Sequence, residues 1–404
     1  MAEVIVIGAG TIGCAITYYL AKSGIKVSLI ERNTIGSGNT SLAASLLTRI
    51  RSKPEIIPLV KETYRAMDFL NEEIKSSLEI QKVGSLHLAA SESSIAALDK
   101  LISIAGDFNI NHSEITHAEI AQMVPWLNVD EIHSASFMPD DAFTDAYVLT
   151  NAFAEAAKNY GANIQQYTTV ERLVTDGKNV VGVKTRKGEI KCDLVVDAAG
   201  AWSNILSLQA GIALPMTPVR SNYWITSSRP ELFPPDQPIV ILPDASVYTR
   251  PEFGALLFGL RESKSVHFDP RNLPEDLDGY VFGDPEDRWN ILVEEGERFK
   301  RFFPKFDEIE IQHYVAGVST YTPDGMFVIG GLPEIRGFLA ATGCSGAGVA
   351  ASGGIGRIIS ELVLGVDTFC NIQPFKIDRF GKVDPFSHEF RQSCADARSG
   401  KTSG

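Results

Sequence analysis

The stretch Val4-Ile5-Val6-Ile7-Gly8-Ala9-Gly10-Thr11-Ile12-Gly13 runs from a short apolar segment straight into a GxGxxG turn. An unbroken apolar run such as 3–7 reads as a parallel strand buried on both faces. Beyond the turn, Ile12, Ala15, Ile16, Tyr19 and Leu20 recur at helical spacing over 11–23, and Gly24 supplies the stop. Residues 26–30 form a second buried strand that ends at Glu31 and Arg32. Strand, helix and strand in this order imply a right-handed crossover in a parallel sheet. Each part of the turn has a physical task. Gly8 permits the tight bend, Gly10 lets a pyrophosphate approach the backbone, and Gly13 lets the helix pack closely on the sheet. The helix start at Thr11 and Ile12 offers free amides and a positive dipole end. Glu31 stands where ribose hydroxyls would donate. The constellation predicts dinucleotide binding and leaves FAD or NAD open, because both contain the same ADP half.

Working outward, 36–45 (GSGNTSLAAS) is rich in small polar residues and reads as a ligand-facing loop. Helices are expected over 56–74 and 147–160, the second ended by Gly161, and a strand over 83–89. Short strands follow around Ile164 and Val170, then a hairpin at Asp176-Gly177 and a strand over 180–184. The run 193–199 (DLVVDAA) returns to the buried parallel pattern, and 326–331, 338–343 and 347–364 again read as strands, glycine turn and helix. Between 217 and 321, strands alternate with proline-rich segments and a helical stretch at 289–303, the pattern of a mixed sheet. The expected organisation is one α/β nucleotide domain assembled from 1–80, 148–216 and 322–370. A substrate domain is inserted as 81–147 and 217–321, and an extension, 371–404, is expected to be partly flexible and to fray after 378.

The 404 residues are 44% hydrophobic and 22% charged, which describes a folded chain of more than one domain. With 37 Lys plus Arg against 50 Asp plus Glu, the net charge of −13 repels a phosphate backbone, so nucleic acid is not expected as a partner. Five scattered cysteines without a CxxC pair argue for a reducing compartment and against structural zinc or iron–sulfur ligation. No basic segment precedes Val4 and no apolar run approaches the roughly 20 residues of a membrane helix, so a cytoplasmic protein without a transmembrane segment is expected. His112, His117 and His133 show no metal-ligand spacing, and no metal is expected. Ser345 lacks a GxSxG elbow and Cys344 lacks a CxxxxC partner. Residues 346–351 fit GxGxxA, but no strand with an acidic end follows them.

Three segments together resemble the FAD-dependent D-amino acid oxidase superfamily, in its sarcosine oxidase, dimethylglycine dehydrogenase and glycine oxidase branch. They are VIVIGAGTIGCAITYYLAKSGIKVSLIER at 4–32, CDLVVDAAGAWS at 192–203, and TPDGMFVIGG at 322–331 followed by GFLAATGCSGAGVAASGGIGRIISELV at 337–363. The resemblance implies a glutathione-reductase-type Rossmann domain for FAD with an inserted mixed-sheet α+β substrate domain. It places Gly8, Gly10 and Gly13 at the pyrophosphate, Glu31 and Arg32 at the adenosine side, and Ser37, Thr40, Ser41, Ala43 and Ala44 in a second pyrophosphate loop. Val170 would hold the adenine through its backbone. Ala199, Gly200 and Trp202 would form the third FAD segment. The turn Gly343, Ser345, Gly346, Ala347, Gly348 and Val349 would face the flavin pyrimidine, where a helix dipole stabilises reduced flavin. The implied reaction is oxidation of the C–N bond of an amino acid or N-methylated amine. Hydride passes to flavin N5, and the resulting imine hydrolyses. No protein base is obligatory if the amine binds deprotonated.

Departures from the resemblance matter as much. Relatives that attach flavin through a cysteine before the TPD segment contrast with Val318-Ser319-Thr320-Tyr321 here, and the histidine of others contrasts with Thr40-Ser41-Leu42-Ala43, so FAD is expected to be non-covalent. Carboxylate-binding positions near Val318, Ser319 and Ala350 are small or apolar, so either the substrate lacks a simple α-carboxylate or its clamp comes from elsewhere. The remaining substrate candidates are Arg49, Arg51, Tyr248, Arg250 and Tyr321, with Tyr223 and Trp224 as further walls; surface or core roles for them stay open. Leu257 aligns with a lysine that promotes reaction with oxygen, which favours a dehydrogenase slightly over an oxidase. Oxygen, a quinone or a partner protein could accept the electrons, and an oligomer is possible. The alternative readings are a flavoprotein subunit that needs a partner for electron transfer, and an NAD-dependent dehydrogenase.

Overall fold

The computed structural model describes residues 3–280, 282 and 286–401. Among these, a six-stranded sheet has the order Val328–Gly330, Phe338–Thr342, Leu194–Asp197, Glu3–Ile7, Lys26–Ile30, Asn163–Gln165. All neighbours are parallel except the first pair. Alternation along the central strand explains its apolar run. Val4 and Val6 enter a core shared with the helices Thr11–Lys22, Ile57–Glu73, Ala146–Asn159 and Gly348–Leu364, while Ile5 and Ile7 enter one shared with Leu173, Val180 and Val183. Those last three belong to an antiparallel sheet of Val170–Asp176, Asn179–Thr185 and Gly188–Lys191 that covers the second face. Both faces of the central strand are therefore dry, as its composition requires.

The second large sheet is mixed. Its order is Ile311–Tyr321, Thr217–Thr226, Ala255–Leu260, Val247–Glu252, Ile239–Leu242, Ser85–Ala89, Ser134–Met138, Ser113–Glu114. Only the pairing of Ile239–Leu242 with Ser85–Ala89 is parallel. One face is a core of Trp224, Phe258, Phe299 and Phe303 against the helix Asp287–Lys300. Trp224 stacks on Phe258 with ring centroids 5.7 Å apart. The alternation that buries Trp224 turns its neighbour Tyr223 away from that core.

Two sequence expectations change. A small sheet of Leu46–Leu47, Ala142–Thr144 and Ile80–Gln81 was not anticipated, because strands of two or three residues carry no readable period. The chain after 378 does not simply fray: it forms the helix His388–Ser399, N-capped by Ser387, whose Oγ accepts from the Phe390 N–H. The polar composition hid an apolar face, since Cys394 and Ala395 are buried in a cluster with Val219 and Tyr321, with Phe390 packed against it. Residues 402–404, the end of the expected frayed tail, lie outside the described residues. No helix among the described residues is long and apolar enough to cross a membrane.

Candidate functional site

A cavity of about 620 Å³ runs from the ends of the parallel strands, at Ile7 and Ile30, to the mixed sheet, at Tyr223 and Tyr248. One end is lined by Glu31, Arg32, Thr168, Val170 and Trp202. The Glu31 carboxylate accepts from the N–H groups of Ala9 (2.7 Å) and Asn33 (2.8 Å), which fixes the loop and leaves lone pairs for further donors. The Arg32 guanidinium lies 3.8 Å over the Trp202 ring, and burial lowers its pKa.

The middle of the cavity is lined by Gly8, Gly10, Thr11, Ile12, Ser37, Thr40, Ala43, Ala44, Ala199 and Gly200. Gly8 donates its N–H to the Ile30 carbonyl (2.9 Å), and Gly10 caps the first helix without a side chain. Thr11 donates its N–H to Thr40 Oγ1 (3.2 Å), which ties the glycine turn to the small-residue loop. Asp197 anchors the opposite wall. Its Oδ1 accepts from the Ala199 N–H (3.0 Å) and the Ser203 hydroxyl (2.8 Å), holding the turn that presents Gly200 and Trp202.

At the far end lie Arg51, Tyr248, Arg261, Tyr321, Cys344, the backbone of Gly346 to Val349, Arg398 and Lys401. The turn into the helix Gly348–Leu364 is pinned from the mixed sheet: Ser345 N–H donates to the Thr320 carbonyl (2.7 Å) and Gly346 N–H to Ser319 Oγ (3.0 Å). Arg51 is 3% exposed, and its Nε has no hydrogen-bond partner. Burial lowers the Arg51 pKa to about 10, so it remains charged near neutrality, facing Asp141. Burial raises the Tyr248 and Tyr321 phenols, which therefore stay protonated donors.

The sequence candidates thus divide. Arg51, Tyr248 and Tyr321 converge on the cavity, as does Tyr223. Arg49 does not line it, because it pairs with Asp140 (3.4 Å) and lies 3.9 Å over Tyr64. Nor does Arg250, which donates to the Ala44 carbonyl (2.8 Å) and pairs with Glu252. Among the dinucleotide candidates, Gly13, Ser41, Gly343 and Ser345 are not lining residues. Gly13 packs against Gly8, the Ser41 hydroxyl donates to the Gly38 carbonyl (2.9 Å), and Gly343 (φ 64°) and Ser345 (φ 47°) shape the turn. Leu257 is buried in the mixed sheet and does not line the cavity either. Sequence reasoning missed Arg261, Arg398 and Lys401. The spacing of Phe390, Cys394 and Arg398 on one face of a helix is the signal that could have flagged the last segment.

The residues present fit a bound FAD. The cavity is long and continuous, the glycine turn leaves its centre open, and the Trp202 indole N–H is buried without a partner. The helix Gly348–Leu364 starts with no side-chain cap, leaving its first amides available. Among the described residues, no group of three or more His, Cys, Asp or Glu side chains is placed to hold a metal ion.

Asp197 supplies a test of the wall that presents Trp202. Burial raises its pKa to about 6, against hydrogen bonds from Ala199 and Ser203 that lower it. The folded state therefore holds its proton more tightly than the unfolded chain, and the associated stability is full below about pH 4 and lost as pH rises through 6. Asp197→Asn removes that loss. Chemical denaturation at both pH values is expected to show the variant gaining on the parent by about 2–3 kcal/mol between pH 4 and pH 7.5. A pH-independent difference would remove the assignment.

The family model for FAD dependent oxidoreductases matches residues 3–362. The chain is 28% identical over 370 residues to human mitochondrial sarcosine dehydrogenase, covering 90% of this chain and 40% of that protein. It is 27% identical over 389 residues to mitochondrial dimethylglycine dehydrogenase of Rattus norvegicus, covering 94% and 45%. It therefore spans less than half the length of these two relatives. Glycine oxidase of Geobacillus kaustophilus is 27% identical over 390 residues, covering 94% of this chain and 98% of the oxidase. Among solved structures, L-proline dehydrogenase from P. horikoshii superposes with a TM-score of 0.83 at 27% identity, over 94% of this chain and 97% of that one.

Proposed function

The chain belongs to the FAD dependent oxidoreductase family, and on that premise we propose that it oxidises the C–N bond of a carboxylate-bearing amine, an amino acid or N-methylated amino acid. The observation that supports this reading above others is the single cavity joining the glycine turn at Gly8–Gly10 to the buried Arg51. Gly8, Gly10, Thr40, Ala44, Glu31, Val170, Gly200 and Trp202 would hold FAD, with the amides of Gly346 to Val349 at its redox end. The chemistry that FAD supplies when bound is acceptance of a hydride from carbon.

The chain's own residues do the rest. The Arg51 guanidinium is a planar fork matched to a carboxylate and fixes which carbon is presented. The phenols of Tyr248 and Tyr321 are donors within the same walls. Positive charge from Arg51 and Arg261 penalises an ammonium group, so the substrate nitrogen is held as the neutral amine whose lone pair drives loss of hydride. The product iminium is hydrolysed to an oxo compound and an amine or ammonia. Incubation with a panel of amino acids and an artificial dye is expected to yield oxo acid or aldehyde in step with dye reduction; dye reduction without a carbonyl product would contradict the reading.

Non-covalent FAD is part of the proposal. After acid precipitation the yellow colour is expected in the supernatant. Colour kept in a washed pellet would contradict this and direct attention to Cys344, whose Sγ lies 3.3 Å from Ser319 Oγ in the cavity wall. Because Leu257 lies away from the cavity and Lys401 lines it, the lack of lysine at 257 no longer argues for slow reaction with oxygen. Comparing oxygen uptake with dye reduction at saturating substrate assigns the acceptor.

A further inference from the structure

The segment after the last strand of the nucleotide domain contributes to the cavity, and its placement is built in. Arg398, 4% exposed, donates to Ser265 Oγ (2.9 Å) and pairs with Glu262 (3.5 Å). Ser399 Oγ accepts from the Ser265 N–H (3.0 Å). With Cys394 and Ala395 buried beneath, this network clamps the helix His388–Ser399 to the mixed sheet and delivers Lys401 to the cavity wall.

Lys401 Nζ donates to the Ser345 carbonyl at 3.2 Å, a neutral acceptor. Arg51, Arg261 and Lys53 are the cations that bear on it, and together with burial they lower its pKa well below the usual lysine value. The carboxylates in the cavity lining, Glu31, Glu171 and Glu275, belong to the segments around the opposite end. Two basic groups of different shape therefore face one space: the Arg51 fork, whose Nε is unpartnered, and the Lys401 amine. With one carboxylate on Arg51, burial and the neighbouring cations favour loss of the Lys401 proton, whereas a second carboxylate would hold it as the charged donor and pair both groups.

We propose that the substrate is an amine bearing two carboxylates, the second held by Lys401 of the C-terminal segment. This rests on the reading given under Proposed function and narrows it. Lys401 is a specificity-determining residue on this account, and the segment from the helix His388–Ser399 to Lys401 is part of the substrate site.

The test is calorimetric titration of the FAD-loaded full chain with propionate and with malonate, succinate and glutarate, none of which has a C–N bond to oxidise. At least one dicarboxylate is expected to bind at least about tenfold more tightly than propionate. Lys401→Met should abolish that preference, and Lys401→Arg should keep most of it. Equal affinities in the parent chain would overturn the proposal, as would a preference that survives in Lys401→Met. Oxidation of monocarboxylic amines in either case would leave the broader assignment standing, so the two failures are distinguishable.

Discussion

Replacing Arg51 by methionine is expected to raise KM for a carboxylate-bearing amine by a factor of about 30 to 150, the equivalent of losing about 2–3 kcal/mol of charge-assisted hydrogen bonding. FAD content should stay at the parent level, because Arg51 lies at the far end of the cavity from the glycine turn. The effect should fall on KM more than on kcat, since the fork binds ground state and transition state alike. Arg51→Lys should recover only part, because an ammonium cannot present two parallel donors. An unchanged KM in Arg51→Met would show that the carboxylate is held elsewhere. A structural role alone predicts lower stability, because Asp141 is buried beside Arg51 and would lose a facing cation, but no selective rise in KM.

The second large effect separates two glycines of one motif. A Cβ at Gly13 would lie 1.9 Å from the carbonyl oxygen of Gly8, a backbone atom that cannot rotate away. Gly13→Ala must therefore push the first helix off the turn, at a cost of about 3 kcal/mol or more, and both stability and flavin content should fall. Gly10 has ordinary extended dihedrals, and the atom nearest to an added Cβ is Thr40 Oγ1 at 3.1 Å. Gly10→Ala should accordingly cost about 1 kcal/mol or less in the apoprotein. It should nevertheless weaken FAD binding by at least about tenfold, because the new methyl group stands where a pyrophosphate would approach. Thermal unfolding and flavin absorbance on the two variants separate these outcomes. Equal flavin affinity in Gly10→Ala and the parent would contradict the placement of the pyrophosphate.

What the sequence could reveal follows from how local each signal is. The strands Glu3–Ile7 and Lys26–Ile30 and the helix between them are legible, because strand, turn and helix are contiguous and the glycines are spaced by backbone geometry. The mixed sheet is legible as a class but not in its order, since Ser85–Ala89 pairs with Ile239–Leu242 across a separation that no local pattern encodes. The substrate end of the cavity is least legible. Arg49, Arg51 and Arg250 look alike in the sequence, and only the partners Asp140, Glu252 and Ala44 distinguish the two that are occupied elsewhere. Lys401 sits in a polar, glycine-flanked stretch that reads as a loose end. It becomes a wall of the site because a helix three turns long anchors it through Cys394 and Arg398.

The most direct test of the central claim is the anaerobic absorption spectrum of the purified protein before and after addition of secondary, tertiary and D-amino acids, with dicarboxylic members included. The account predicts an oxidised flavin band that bleaches with at least one carboxylate-bearing amine. A flavin band that stays oxidised with every amine would contradict the assignment of C–N oxidation, and a protein that binds no flavin would contradict the cavity's assignment to FAD.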